Sequence, residues 1–255
     1  MTRTIVEFYP NGVLRTAYTI DENGKCVSPV ETYHMNGQLW ERYTYNEKGV
    51  QIGPYKCYWQ NGLLSAEYTY NKDGYREGLC KYYHENGRLK GKYIYNKMGE
   101  REGTYETYWE NGRLAEKGTY DGKGQKIGPY ECYYENGQLR EKGTYNERGQ
   151  RVGTCEKYYE NGRLEEICTY NKDGNREGPY VSYFKNGDLQ RKGIFLKDGT
   201  FVNTKEYNDN ENDEDKRVLL KALGELNKRM KPSPLRKSAK QQLVIAYRKT
   251  HQKVR

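Results

Sequence analysis

YYENGRLEEICTYNKDGNREGPY, residues 158 to 180, brackets one short alternating run between two turn signals, Asn161-Gly162 and Asp173-Gly174. Asn and Gly tolerate the positive φ of tight reversals, and flanked by alternating apolar residues they give the strongest short-range hairpin signal. The phrase recurs. Asn-Gly begins at 11, 36, 61, 86, 111, 136, 161 and 186, a 25-residue step taken without insertion. A second glycine keeps the step from Gly24 to Gly199, and a leucine keeps it from Leu14 to Leu189. Self-similarity of this length means stacked supersecondary units and not one globular core, so residues 1–205 read as one array.

Within one unit, Gly53 and Pro54 open a first strand in which Tyr55, Cys57 and Trp59 alternate with Lys56 and Tyr58. Asn61-Gly62 turns the chain, Leu64, Ala66, Tyr68 and Tyr70 return at period two, and Asn71 to Gly74 read as a second, longer turn. Eight such hairpins predict sixteen antiparallel strands, in a sheet on the order of 75 Å long at roughly 4.8 Å per strand. The first strand carries rings on both faces. Phe8, Tyr33, Tyr58, Tyr83, Tyr108, Tyr133, Tyr158 and Tyr183 form one row; Tyr9, His34, Trp59, His84, Trp109, Tyr134, Tyr159 and Phe184 form the next. A two-layer sandwich would show one apolar and one polar face. The pattern predicts instead an all-β repeat array: an elongated, single-layer, twisted antiparallel sheet held by cross-strand ring contacts.

Composition alone points elsewhere. A hydrophobic content of 34%, a charged content of 31% and a mean hydropathy of −1.20 lie toward the disordered end of the range. The 28 tyrosines oppose this, since each buries a large ring while leaving its hydroxyl wet.

Units such as GTYETYWENGRLAEKGTYDGKG and GPYECYYENGQLREKGTYNERG resemble the variant MORN repeat, in the bacterial form known as the YwqK-type antitoxin family. The resemblance covers all eight units, and it implies consecutive hairpins in an elongated sheet. It also implies a non-enzymatic protein-interaction module: an antitoxin or immunity-type protein that neutralises a protein toxin, or else a scaffold or membrane-surface organiser. KCVSPV (residues 25–30) departs from the pattern, with Ser28 where later units have Gly53, Gly78, Gly103, Gly128, Gly153 and Gly178.

Catalytic chemistry finds little to stand on. His34 and His84 occupy a register position that Trp59, Trp109, Tyr134 and Tyr159 fill elsewhere, so they read as aromatic rungs. Glu85, Glu110, Glu135 and Glu160 recur with the period and read as solvated turn positions, whereas a catalytic pair needs one special place. The glycines lie in turns and do not precede helices, so no phosphate cradle is expected. Cys57 and Cys80, like Cys132 and Cys155, fall on neighbouring units, but no metal-ligand spacing joins the six cysteines and free thiols are expected. No cofactor is predicted. Nothing resembles a signal peptide or a membrane span, which predicts a cytoplasmic location. The expected binding surface is the aromatic row His34, Trp59, His84, Trp109, Tyr134 and Tyr159, because interface anchors are commonly aromatic.

After Tyr207 the register stops. Residues 206–215 form an acidic linker containing NDNENDED, and residues 216–255 carry thirteen Lys and Arg against Glu225 alone. Leu219, Leu220, Leu223, Leu226 and Met230 follow helical spacing, and Ser233-Pro234 reads as the start of a second helix. This short α-helical tail, with Lys216, Arg217, Arg236, Lys237, Arg248 and Lys249 as basic candidates, has three expected uses. It covers the last sheet edge, recruits a protein, or meets anionic lipid or nucleic acid. The expected assembly is a monomer or an edge-paired dimer.

Overall fold

The computed structural model describes residues 1–203. The expected acidic linker, the two expected tail helices and the basic candidates lie outside the described residues. Within Met1–Asn203, one compact unit, the strands are β1 (Arg3–Phe8), β2 (Leu14–Ile20), β3 (Val30–Tyr33), β4 (Leu39–Tyr45), β5 (Gln51–Tyr58), β6 (Leu64–Tyr70), β7 (Arg76–Tyr83), β8 (Leu89–Tyr95), β9 (Arg101–Tyr108), β10 (Leu114–Asp121), β11 (Lys126–Tyr133), β12 (Leu139–Tyr145), β13 (Arg151–Tyr158), β14 (Leu164–Tyr170), β15 (Arg176–Tyr183), β16 (Leu189–Phe195) and β17 (Phe201–Asn203).

Each strand pairs antiparallel with the one before it and the one after it, giving a single open meander. Among the described residues the sheet has seventeen strands where the periodicity predicts sixteen. The extra one, β17, begins a further unit and pairs Phe201 with Phe195. Pairing is thinnest near the start: β2 and β3 share only Thr16↔Thr32 and Ala17↔Glu31. There Ser28, standing in place of the usual glycine, accepts the Thr19 N–H on its hydroxyl at 2.7 Å.

The two turns of a unit are alike, not one short and one long, except at Asp121–Gln125, where the Gly122 and Gly124 N–H groups donate to Arg101 O. Trp59 N bonds Leu63 O at 2.8 Å and Gly62 N bonds Trp59 O at 2.9 Å; Asn71 N bonds Tyr75 O at 2.8 Å and Gly74 N bonds Asn71 O at 3.1 Å. Both are three-residue loops closed by a left-handed glycine, φ +83° at Gly62 and +82° at Gly74. The asparagines act through their side chains. Asn61 Oδ1 accepts Leu63 N, and Asn71 Oδ1 accepts both Asp73 N and Tyr75 N.

The first strand of a unit starts two residues ahead of its glycine, not at it. On β6·β7 the register jumps from Glu67↔Lys81 to Thr69↔Glu77, and Gly78 sits at the jump with φ +78°. A β-carbon there would meet nothing, so the glycine serves backbone conformation and not close packing. This bulge recurs along the array, and a bulge bends its strand and raises local twist.

Strand alternation then sorts the side chains. One face holds the deeply buried residues, with Cys80 and Cys168 at 0% exposure, Tyr105 at 2% and Tyr130 at 3%. Its rings touch across strands: Tyr55 stacks on Tyr68 at 4.6 Å and Tyr130 on Tyr145 at 4.4 Å between centroids. The opposite face opposes charges strand by strand, Lys92↔Glu106↔Lys117↔Glu131↔Lys142↔Glu156. A single layer is therefore stable with a thin core, because the core is a sheet of rings.

Candidate functional site

The aromatic row predicted as a binding surface lies at the mouth of the first turn of each unit, and all six of its members are half-buried. Each uses its polar atom in the same way. His34 Nε2 meets Tyr58 O at 3.0 Å, Trp59 Nε1 donates to Tyr83 O at 3.3 Å and His84 Nε2 meets Tyr108 O at 2.9 Å. Trp109 Nε1 donates to Tyr133 O at 3.2 Å, and the Tyr134 and Tyr159 hydroxyls donate to Tyr158 O and Tyr183 O at 2.8 Å each. Imidazole, indole and phenol thus make one cross-unit bond. That explains why three residue types share one register. The turn asparagines repeat the device: the Nδ2 groups of Asn61, Asn86, Asn111 and Asn136 donate to the carbonyls of Glu85, Glu110, Glu135 and Glu160 in the following turn. The remaining ring surface of the row is what a partner could meet, and exposed Trp40 adds to it beside His34, with centroids 5.6 Å apart.

On the charged face, Lys81–Glu67, Lys92–Glu106, Lys117–Glu131 and Lys142–Glu156 are ion pairs of 3.0, 2.9, 2.8 and 3.0 Å. The first ring row joins them: Tyr83, Tyr108, Tyr133 and Tyr158 donate to Glu67, Glu106, Glu131 and Glu156. These hydroxyls and lysines hold the carboxyls of Glu67, Glu106 and Glu131 below the usual range. In return, burial and then the bond to the carboxylate push the Tyr83 and Tyr108 phenols up to about 12.

The buried face carries charge that the sequence reading missed. A base recurs at Arg76, Arg101, Lys126, Arg151 and Arg176, and it lies over rings: Arg76 is 4.4 Å from the Tyr68 centroid, Arg101 4.2 Å from Tyr93 and Lys126 5.2 Å from Tyr105. An acid ten residues earlier meets the last three bases. Lys126–Glu116 is 2.5 Å, Arg151–Glu141 2.7 Å and Arg176–Glu166 3.4 Å. The available signal was the step itself, a base two positions ahead of each of Gly78, Gly103, Gly128, Gly153 and Gly178. All six cysteines are free thiols, and burial pushes those of Cys80 and Cys155 up to about 11. Cys155 and Cys168 stand opposite each other on β13 and β14. Among the described residues, no helix is long and apolar enough to cross a membrane.

The family model for the MORN repeat variant matches residues 76–97, 101–121, 126–147, 151–172 and 176–197. Five of the hairpins match that model. The match is to the repeat and not to its antitoxin form, and the units before residue 76 lie outside it although they share the turns. No curated protein matches the chain. Among solved structures it is similar to one described as "Crystal Structure of TcdB2-TccC3-Cdc42", at 12% identity over 79% of this chain and 14% of that one, with a TM-score of 0.22. A second, "Structure of Photorhabdus luminescens Tc holotoxin pore, Mutation TccC3-D651A", gives 13% identity over the same shares and a TM-score of 0.22. The chain spans about a seventh of the length of either.

Proposed function

We propose that the chain is a non-enzymatic protein-interaction module whose MORN repeats dock a protein partner. Repeats of this kind generally serve as protein- or membrane-binding modules. The observation that supports the reading is the row of six rings, which ties neighbouring units through its polar atoms and leaves ring surface along one side of the sheet. Such a repeated row suits a partner that lies along several units, since buried aromatic anchors carry much of the energy of protein interfaces. The finer role is that of an antitoxin or immunity-type protein, which binds a protein toxin and blocks it. No cofactor takes part.

Native capture from a lysate with the full chain, with and without nuclease, tests this. The expected result is one stoichiometric protein, retained after nuclease. Recovery of lipid or nucleic acid in its place would move the function to a membrane surface or to the basic tail. Trp59→Phe with Trp109→Phe separates the two uses of the row, because the rings stay while the N–H groups go. Affinity for the captured protein is expected to hold while stability falls.

A further inference from the structure

We propose that the buried face around Arg76 and Arg101 receives the carboxylates of an acidic segment on a protein partner. The inference deepens the interaction-module reading and rests on it. Its template lies inside the same molecule. In three units the base has an internal carboxylate, Glu116, Glu141 or Glu166, the last shared with Lys157 at 3.4 Å, and a tyrosine completes the site: Tyr105 and Tyr130 donate to Glu116 and Glu141 at 2.6 Å, and Tyr180 to Glu166 at 3.1 Å. Ten residues before Arg76 and Arg101 the chain has Ala66 and Gly91. Neither guanidinium makes an ion pair among the described residues. Arg76 donates to the Tyr82 hydroxyl at 2.8 Å, and Arg101 to the Tyr95 and Tyr120 hydroxyls at 3.2 and 3.0 Å.

Two uncompensated positive charges therefore stand on neighbouring units, about 10 Å apart at two strand spacings. They lie on a floor of Tyr68 and Tyr93 rings and are only half-buried, so both can be reached. An arginine fork matches a carboxylate in two-point fashion, and an apolar floor strengthens the attraction by lowering the local dielectric. The second half of the sheet shows which anion this arrangement of base and phenol already accepts. The segment that fits is a stretch of partner chain with two Asp or Glu carboxylates about 10 Å apart.

Calorimetric titration of the full chain with an octaglutamate peptide at low salt tests the proposal, with inorganic phosphate as the competing anion. Arg76→Gln with Arg101→Gln is expected to weaken binding at least about tenfold, while Lys117→Gln on the opposite face leaves it unchanged. If the double arginine variant does not fold, Ala66→Glu with Tyr68→Gly decides. That pair copies the arrangement of Glu141 and Gly143, supplies Arg76 with an internal carboxylate and is expected to weaken peptide binding by several fold. Absent binding, unchanged affinity in these variants, or displacement of the peptide by equimolar phosphate would each overturn the proposal. A captured partner that still binds the arginine variant would leave the interaction module standing and remove only this site.

Discussion

The two halves of the buried face fill the same register in different ways. In the first half the return strands carry Tyr43, Tyr68 and Tyr93, and rings stack from strand to strand, Tyr43 with Tyr55 and Tyr93 with Tyr105 at 6.5 and 6.1 Å. In the second half those positions are Gly118, Gly143, Cys168 and Gly193. At Gly143 the Tyr130 ring lies flat across the space, so a β-carbon would meet it at 3.0 Å. The room gained lets Glu116, Glu141 and Glu166 reach a base, whereas Ala66 and Gly91 leave Arg76 and Arg101 over rings alone. Glu41 shows the inverse case: it accepts from Tyr55 at 2.8 Å, and Gln51 stands where later units carry the base. One 25-residue pattern therefore supports a half whose bases meet internal carboxylates at Glu116, Glu141 and Glu166 and a half in which Arg76 and Arg101 have none.

The largest expected effect falls on the ring that defines the second half. Tyr130→Ala removes a 3% exposed ring and the donor to Glu141, and a loss of about 3–5 kcal/mol is expected in chemical denaturation. A loss below about 1 kcal/mol would mean that the ring face is no core. Glu141→Ala strands Arg151 and the Tyr130 hydroxyl and is expected to cost about 2–3 kcal/mol. Ala66 needs no such partner, so the same experiment has no equivalent in the first half. Asn111→Ala breaks the stitch to Glu135 O and is expected to cost about 1 kcal/mol in either half alike. Lys117→Ala, at an exposed pair, is expected to change the melting free energy by less than about 1 kcal/mol.

Stability against pH sharpens the picture of the charged face. Glu106 and Glu131 have depressed folded values, so their contribution is complete above the unfolded value of about 4.3 and is lost as pH falls through the folded one. Tyr83 and Tyr108 are raised, so theirs is complete below about 10 and is lost as pH rises through about 12. The melting temperature is expected to stay level between these limits and fall on both sides. Tyrosine absorbance titrating freely near pH 10 would contradict the bonds to Glu67 and Glu106.

Strands and turns were legible because short-range chemistry dictates them: Asn61-Gly62 and Asp73-Gly74 each reverse the chain within a few residues. The shared register of His34, Trp59 and Tyr134 was legible as a ring row, but its reason was not, since the acceptor is a carbonyl 24 residues on. The bulge at Gly78 was hidden because glycine at a strand start and glycine inside a bulge look the same in sequence. The pairing of Arg151 with Glu141 was hidden too. A recurring charge carries no sign of its partner, and only the sheet brings strands β12 and β13 together on one face.

Arginine side-chain NMR of the full chain, recorded with and without octaglutamate, tests most directly whether the two halves differ as described. The Nε–H resonances of Arg76 and Arg101 are expected to move on addition of the peptide while those of Arg151 and Arg176 stay in place. Equal movement of all four, or movement of Arg151 and Arg176 alone, would contradict arginines held open in the first half and arginines already paired with Glu141 and Glu166 in the second.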